Sequence, residues 1–277
     1  EASQMFPEMA LGAMVRSKEI VVVGDEQQMP PQSFFNAALA EDEDEEYYGD
    51  AESILKLAGQ RIGNTVSLNW HYRSLHPSLI QFSNYNFYGN RLEVFPSPFE
   101  ASDDFGVKLV EANGVYTGGS VNPEERNEVI RQVRKCIREF PMESIGVVAM
   151  NRPQTDSITE ALYQLRDEDS EVREYFDRWE NDDLGSLFVK NLANVQGDER
   201  DIIIISTVFG KNETGQLRQN FGFNIASPVG HRYLNVLFTR ARKLLVLVTS
   251  MRPADIKVTP TTHRGVKILS DYIQYAA

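Results

Sequence analysis

Cysteine is scarce in this 277-residue sequence, and so is histidine. Cys136 is the only cysteine, which excludes an internal disulfide framework. It lies in an apolar helical pattern that runs from Val129 to Ile137, so we interpret it as a small core or boundary residue rather than a nucleophile. The four histidines do not have zinc-ligand spacing with it: His71, His76, His231 and His263. The sequence therefore predicts no metal site.

The sequence also lacks any apolar run of about 18 residues, the length that a membrane-spanning helix needs. Its first residues, Glu1-Ala2-Ser3-Gln4, contain no basic segment that leads into an apolar one, as a signal peptide would. Apolar residues still make up 42% of the chain, enough for a large core. We therefore expect a cytoplasmic protein with no membrane partner.

The net charge of −12 argues at first against a nucleic-acid ligand, because phosphate binding needs basic surface. Two segments carry this charge: residues 41–52 have eight acids and no base, and residues 167–183 have nine acids and two arginines. Subtracting these 15 negative charges from −12 leaves +3 for the rest of the chain. A local basic groove therefore remains compatible with the sequence. Both acidic segments lack the spacing of a calcium loop and are interpreted as solvated surface.

Short apolar runs alternate with helical patterns along the chain. The runs at 20–23, 145–149, 187–189, 202–205 and 244–248 predict strands covered on both faces. Helical patterns lie at 51–60, 123–139, 154–165, 171–179, 232–242 and 265–275. This alternation predicts an α/β fold with a doubly wound parallel sheet and helices on both faces. The acidic run from Glu41 predicts a boundary between residues 1–60, which include the run as a linker, and one domain over 61–277.

The segment from Gly24 to Pro31 directly follows the predicted strand at 20–23. Polar groups placed there emerge at the carboxyl edge of a parallel sheet, where α/β proteins bind ligands. A Gly-Asp turn that ends in Pro-Pro also serves simply to terminate a strand. Taken alone, this segment leaves both interpretations open.

Five separate blocks, in the same order, resemble motifs of superfamily 1 helicases. The resemblance is strongest to the branch of the nonsense-mediated-decay helicase and its bacterial relatives, and to large bacterial helicases with a nuclease-like domain after the core. The blocks are Glu1-Ala2-Ser3-Gln4 (the end of motif II), Gly24 to Pro31 (motif III), Leu68 to Ser74 with the following His76-Pro77 and Phe82 to Tyr88 (motif IV), Val195 to Asp201 (motif V) and Leu234 to Arg242 (motif VI).

The resemblance implies a RecA-like fold of the P-loop NTPase type, and an ATP-dependent helicase or translocase that needs ATP and Mg²⁺. Arg73 and Arg240 are expected to contact the terminal phosphate, because phosphoryl transfer concentrates negative charge there. By the same resemblance, Gln28 senses that phosphate, and Glu1 orients the attacking water. Glu199 is expected near the ribose hydroxyls, and Gly24 and Asp25 complete the nucleotide-binding residues.

The helical pattern at 232–242 is compatible with an arginine at position 240 that extends across a cleft. Leu234, Leu237, Phe238 and Ala241 follow the i, i+3, i+4, i+7 spacing of a buried face. Arg240 falls about 120° from the centre of that face, at an edge from which a side chain can cross a cleft. Surface positions are the alternative for Arg240 and Arg242, and a surface ion pair is the alternative for Arg73.

Single-stranded DNA or RNA is the partner that the resemblance implies. Gln196 and Gly197 are expected to grip its sugar-phosphate backbone, since glycine allows close approach of another chain. Asn84 is expected to touch the strand, and the neighbouring aromatic residues can stack on bases. Packing in the core is the alternative for these aromatic residues, and it is the more common one: Tyr85, Phe87 and Tyr88.

The sequence departs from the helicase pattern in one important way. It contains no Gly-x-x-x-x-Gly-Lys-Ser/Thr phosphate loop, and Gly210-Lys211 lacks the rest of that motif. The magnesium-binding aspartate expected before Glu1 is absent too. We therefore expect residues 1–60 to be the end of a first RecA-like domain, whose remainder is the partner needed for ATP and Mg²⁺. The chain alone is expected to be inactive, and an idle RecA-like binding module is the rival interpretation.

Overall fold

The computed structural model describes residues 1–31, 53–62, 64–102, 104–182 and 184–277. The chain divides into two compact units, Glu1–Asn69 and Trp70–Ala277. The acidic run at 41–52 and the first residues of the helical pattern at 51–60 lie outside the described residues.

The first unit contains two short helices. Helix α1 (Pro7–Met14) begins with proline, whose fixed φ suits a first helical position. Helix α2 (Ile54–Arg61) begins after Ser53, whose hydroxyl accepts a hydrogen bond from the Lys56 N–H. A backbone hydrogen bond of 2.8 Å from Ile54 N–H to the Met5 carbonyl ties α2 to the chain before α1.

The predicted strand at 20–23 is wrong. These residues form no strand, and Val21 and Val23 are 80% and 62% exposed. A β-branched run becomes a strand only where a neighbouring strand pairs with its backbone and its side chains are covered. Among the described residues of the first unit there is no strand with which it could pair.

The second unit is built on a five-stranded sheet. A small parallel pair precedes it, formed by β1 (Trp70–His71) and β2 (Glu93–Val94). The main strands are β3 (Gly106–Glu111), β4 (Ile145–Ala149), β5 (Phe188–Asn191), β6 (Arg200–Ser206) and β7 (Ala241–Thr249). All neighbours are parallel, in the order β3-β7-β6-β4-β5.

Six helices in the described part of the second unit connect and cover these strands. They are α3 (Ser78–Phe87), α4 (Pro123–Glu139), α5 (Arg152–Glu168), α6 (Ser170–Trp179), α7 (Gly230–Phe238) and α8 (Arg264–Ala276). The side chains of Asn122, Asn151 and Asp169 accept backbone N–H groups at the starts of α4, α5 and α6. Such caps satisfy N–H groups that have no partner inside the helix.

Both faces of the sheet are covered. Alternate residues of β4, β6 and β7, such as Val147, Ile204 and Val246, form one core cluster with α4, α5 and α6. The intervening residues, such as Ile203 and Leu247, are also fully buried. On α7 and α8, the rings of Phe238 and Tyr272 stack with their centroids 3.5 Å apart. The predicted α/β fold with helices on both faces is therefore confirmed.

The helix predicted at 232–242 is shorter than expected. Helix α7 ends at Phe238, and Ala241 and Arg242 already belong to β7. The apolar spacing continues through Ala241 because that residue is also buried, but it is buried in the sheet rather than on the helix. Arg240 therefore lies in the tight connection between α7 and β7. The prediction that it occupies the edge of a helical face is wrong.

Candidate functional site

In the first unit, the segment that starts the chain lies beside the Gly24–Pro31 segment. The Ala2 N–H donates to the Val23 carbonyl over 3.0 Å. A Cβ at Gly24 would lie 3.0 Å from the backbone nitrogen of Ser3, which glycine avoids. The ends of the sequence blocks that resemble motifs II and III are thus brought together.

Asp25 organises the turn that follows Gly24. Its Oδ1 accepts the Gln27 N–H at 2.8 Å, and its Oδ2 accepts Nε2 of Gln28 at 3.2 Å. The Gln28 amide, a predicted phosphate sensor, is thereby held by the side chain of another predicted nucleotide-binding residue. Glu1, the predicted water-orienting residue, is exposed at the surface.

In the second unit, Arg73 and Glu199 form an ion pair. Nε of Arg73 lies 2.8 Å from Oε2 of Glu199, and both side chains are about two-fifths exposed. The Leu75 N–H donates to the Arg242 carbonyl over 2.7 Å, which fastens the Arg73 segment to the start of β7. Residues from three of the sequence blocks therefore meet at this place.

His71 shapes the turn that presents Arg73. Its Nε2 accepts the Ser74 N–H at 3.2 Å and lies 2.8 Å from the Ser74 hydroxyl. Burial, together with the nearby Arg73 guanidinium, lowers the pKa of His71 to about 4. A neutral imidazole at physiological pH leaves Nε2 available as an acceptor, so the turn keeps this geometry there.

Arg240 is buried, with only 4% of its surface exposed. Its Nε donates to the Val236 carbonyl at 2.9 Å, and its Nη1 donates to the Asp198 carbonyl at 3.3 Å. Its own carbonyl accepts the Arg200 N–H at 3.3 Å. Arg240 thus contacts the same short segment, 198–200, whose Glu199 side chain pairs with Arg73.

The loop before β6 contains the predicted strand-gripping residues Gln196 and Gly197. Gly197 has φ of +88°, a left-handed conformation that favours glycine, and a Cβ there would meet nothing within 4 Å. Next to it, Lys190 Nζ lies 2.6 Å from Oδ2 of Asp198 and ties the loop to β5. The loop therefore has a fixed path that presents backbone at Gly197.

Asn84 and its aromatic neighbours are divided between surface and interior. The side-chain amide of Asn84 makes two hydrogen bonds of 3.0 Å to the backbone of Leu92, its Nδ2 donating to the carbonyl and its Oδ1 accepting the N–H, so this side chain holds a turn. Phe87 is buried and lies parallel to the His231 ring, while the Tyr88 hydroxyl accepts from Asn235. Tyr85 is 70% exposed. Core packing, the alternative interpretation, describes Phe87 but not Tyr85.

Sequence reasoning missed a buried polar network at the carboxyl edge of the sheet. Glu125 is fully buried and accepts hydrogen bonds from four groups at this edge and from the Asn122 amide: Ser206, Thr207, Ser250 and the backbone N–H of Val208. Burial raises the pKa of Glu125 to about 7, although the hydrogen bonds act in the opposite direction.

The Glu125 network surrounds a strained residue. Val208 has φ of +63°, which is rare for a β-branched side chain. The pattern Asn122-Pro123-x-Glu125 was a visible sign of a helix start. Nothing in that pattern indicated that Glu125 would be buried.

The described residues contain neither a membrane-crossing helix nor a metal-binding cluster. Across the described ranges, no helix combines the length and apolar character that crossing a membrane requires. Within the same ranges, no three His, Cys, Asp or Glu residues are grouped so that they could hold a metal ion. Cys136 is buried in the core, and burial raises the pKa of its thiol to about 12.

Comparison with known protein families gives a match over most of the chain. The family model described as AAA domain (AAA_12) matches residues 51–252. The chain belongs to the AAA domain family. The matched range contains Arg73, Glu199 and Arg240, so the contacts between them lie inside this AAA domain.

Curated relatives of the AAA domain include three proteins with helicase names. The "Uncharacterized ATP-dependent helicase MG140" of Mycoplasma genitalium is 30% identical over 290 residues, which covers 99% of this chain and 25% of the relative. Its homologue in Mycoplasma pneumoniae is 30% identical over 285 residues, with the same coverage. "Putative helicase MOV-10" of Gallus gallus is 26% identical over 233 residues, 74% of this chain and 22% of the relative.

The chain spans about a quarter of the length of the Mycoplasma relatives. A solved structure of the C-terminal domain of a possible DNA helicase from Lactobacillus plantarum WCFS1 aligns with a TM-score of 0.36 and 14% identity. That alignment covers 73% of this chain and 96% of the solved one.

Proposed function

We propose that this AAA domain is the second RecA-like domain of an ATP-dependent superfamily 1 helicase or translocase. Residues 61–277 would form that domain, and residues 1–60 would be the end of the first RecA-like domain. The observation that carries the proposal is that Arg73 and Arg240, which are far apart in sequence, both contact the segment 198–200, which contains Glu199. The helicase names of the relatives support the same reading.

The proposed role of Arg73 is to exchange partners. Its guanidinium is held by Glu199 over 2.8 Å in a half-exposed ion pair. Such a pair contributes little, about 1 kcal/mol or less, so its replacement by phosphate oxygens costs little. Arginine offers several planar N–H donors that suit phosphate oxygens. Glu199, once released, can accept from ribose hydroxyls.

The proposed role of Arg240 is to present a fixed positive charge. Two of its nitrogens donate to the carbonyls of Val236 and Asp198, and these bonds set the plane of the guanidinium. A cation already fixed before reaction needs no reorganisation while charge develops on the terminal phosphate. The side chain thus fits an arginine finger that is supported from within its own domain.

Nucleotide binding would require the rest of the first RecA-like domain. Among the described residues, no three His, Cys, Asp or Glu are grouped so that they could hold a metal ion. Mg²⁺, like ATP, would therefore be held with the help of the rest of the first domain. In the first unit, the resemblance assigns nucleotide-binding roles to Glu1, Gly24, Asp25 and Gln28. We expect the 277-residue chain alone to hydrolyse ATP negligibly.

The proposed track is a single strand of DNA or RNA. The loop at Gln196 and Gly197 leads directly into Glu199, so backbone contact with a strand would lie close to the nucleotide-facing residues. The left-handed Gly197 leaves open space beside its Cα for a sugar-phosphate backbone. A contact from Asn84 to the strand would require its amide to release Leu92.

The test is magnesium-dependent ATP hydrolysis by the full-length protein, with and without single-stranded DNA or RNA. Stimulation by one polymer would support a nucleic-acid motor and identify its track. Arg240→Ala should then reduce kcat by about a hundredfold or more, as loss of a transition-state cation does. Arg131→Ala is the matched control, since Arg131 lies on the surface of α4 and pairs with Glu128.

Two outcomes would contradict the proposal. If Arg240→Ala left the nucleic-acid-stimulated ATP hydrolysis unchanged, Arg240 would not be the arginine finger. Absence of hydrolysis with either polymer would favour an idle RecA-like module that binds nucleic acid or protein without turnover.

A further inference from the structure

Arg200 is a buried arginine between Glu199 and β6, and only 4% of its surface is exposed. Its Nε and Nη2 both donate to the Ser186 carbonyl, at 2.9 and 2.8 Å. Its Nη1 donates to the Glu199 carbonyl at 2.8 Å. The guanidinium carbon also lies 4.7 Å from the centre of the Phe188 ring.

Such a placement is costly for a cation. Burial lowers the pKa of Arg200, while the nearby Asp198, Tyr175, Asp182 and Asp201 raise it. A buried charge persists in a fold only when hydrogen bonds and neighbouring charges compensate for lost water. Two carbonyls and an aromatic face provide part of that compensation here. A smaller apolar residue would avoid the cost, so the arginine requires another explanation.

The contacts of Arg200 explain why an arginine occupies this buried position. The hydrogen bond to the Glu199 carbonyl fixes the peptide that follows Glu199, and thereby the direction in which the Glu199 side chain leaves the chain. The backbone N–H of Arg200 donates to the Arg240 carbonyl. One residue therefore joins the main chain of two nucleotide-facing residues, and Arg73 joins them through its ion pair with Glu199.

The hydrogen bonds from Arg200 to Ser186 attach the segment 199–200 to the chain before β5. Ser186 precedes β5 in the chain, and Phe188 is the first residue of that strand. The pairing of β6 with β7 is irregular between Arg200 and Ile202, so the sheet ladder alone does not hold the Arg200 segment. The side chain of Arg200 supplies the missing attachment from the β5 side.

We propose that Arg200 is a positioning residue, which aligns Glu199 and Arg240 for ATP hydrolysis by anchoring their segment to Ser186 and Phe188. This inference rests on the proposed function of the domain. Arginine is required rather than lysine because one planar fork serves two carbonyls and lies flat on a ring. A single ammonium group cannot keep both carbonyl contacts in this geometry.

The test compares four forms of the full-length protein: unmodified, Arg200→Lys, Glu199→Gln and the double variant. For each, kcat and KM for ATP are measured in the presence of single-stranded nucleic acid, together with the thermal unfolding midpoint. Arg134→Lys is the matched control, because that arginine of α4 pairs with Asp169 at the start of α6 and contacts none of the proposed nucleotide-facing residues in the ion pairs described. Phe188→Leu is a milder second variant, which removes the ring and keeps every donor of Arg200.

We expect Arg200→Lys to reduce kcat/KM by about tenfold to a hundredfold, because small misplacements of reacting groups have effects of that size. Phe188→Leu should act in the same direction but less. The double variant should be no more than about twofold worse than the poorer single variant, since residues that act as a unit are not additive. The control should match the unmodified protein.

A purely structural role would lower the unfolding midpoint of Arg200→Lys but leave kcat/KM of the folded protein unchanged, and this would overturn the inference. The inference would also be overturned if the losses of kcat/KM caused by Arg200→Lys and Glu199→Gln multiplied in the double variant. It would likewise be overturned if kcat/KM of both Arg200→Lys and Phe188→Leu stayed within twofold of the unmodified protein. Should the unmodified protein hydrolyse no ATP, the proposed function fails and this inference fails with it. A failure of the inference alone leaves ATP hydrolysis intact.

Discussion

The Nε atom of Arg73 lies 2.8 Å from Oε2 of Glu199, so two residues predicted to face a nucleotide face each other instead. Each neutralises the other and each keeps about two-fifths of its side chain in solvent. The ion pair holds both side chains beside Asp198, whose carbonyl accepts a hydrogen bond from Arg240. Its weakness is useful, because partly exposed pairs exchange partners readily.

Loss of Arg73 should impair catalysis much more than folding. In the full-length protein we expect Arg73→Ala to lower kcat by about a hundredfold, since the cation proposed to face the terminal phosphate is removed. The unfolding free energy should fall by no more than about 1 kcal/mol, because the ion pair is half exposed. Steady-state kinetics and thermal unfolding measure the two effects. Equal, large losses in both would contradict the proposed role.

Glu125 should make stability depend on pH in an unusual direction. Its pKa is raised from 4.5 to about 7, so the buried carboxyl favours the protonated form. Its contribution to stability is therefore complete below the unfolded pKa and is lost as the pH rises through the folded pKa. The groups that face it are neutral: Asn122, Ser206, Thr207, Val208 and Ser250.

Glu125→Gln isolates this effect. Relative to the variant, the unmodified chain should become more stable as the pH falls from about 7 to 4.5, by up to about 3 kcal/mol. Denaturant unfolding at several pH values measures the difference. Glu124→Gln, an exposed neighbour on the first turn of α4, is the control for loss of a charge. A constant difference across this pH range would refute the assignment.

Gly197→Ala should cost about 1 kcal/mol of stability, because an alanine at φ of +88° is strained even in open space. Gly118→Ala is the matched control: its Cβ would also meet nothing within 4 Å, and its φ is not in the left-handed range. Thermal unfolding compares the two. Affinity for single-stranded nucleic acid should fall in Gly197→Ala but not in Gly118→Ala. An equal loss of affinity in both variants would contradict the proposed contact between Gly197 and the strand.

The sequence predicted those elements whose signals are local. The strand at Ile145–Ala149 and the helix at Pro123–Glu139 have the expected bounds, because an uninterrupted apolar run and an Asn-Pro start define them. The run at 20–23 has the same composition but no neighbouring strand, and composition cannot reveal that. The end of α7 was missed because Ala241 continues the apolar spacing from within the next strand.

The candidate site was predictable only as separate residues. Resemblance identified Arg73, Glu199 and Arg240 one at a time, yet their mutual contacts depend on the pairing of strands that are distant in sequence. Arg200 carried no signal, because burial of an arginine is decided by the elements that surround it. The roles of these residues stay predictions until the kinetic tests above are made.

Strand β3 has one neighbour in the described sheet, β7, and the pairing joins Gly106 to Leu244 near the opposite ends of the unit. Such long-range pairing slows folding, because a large loop must close before the contact forms. During synthesis, β3 and the Arg73 segment would emerge long before β7 and Arg240. The residues proposed to face the nucleotide would therefore come together only after β7 has been synthesised, so a partly synthesised chain would lack the proposed catalytic arrangement.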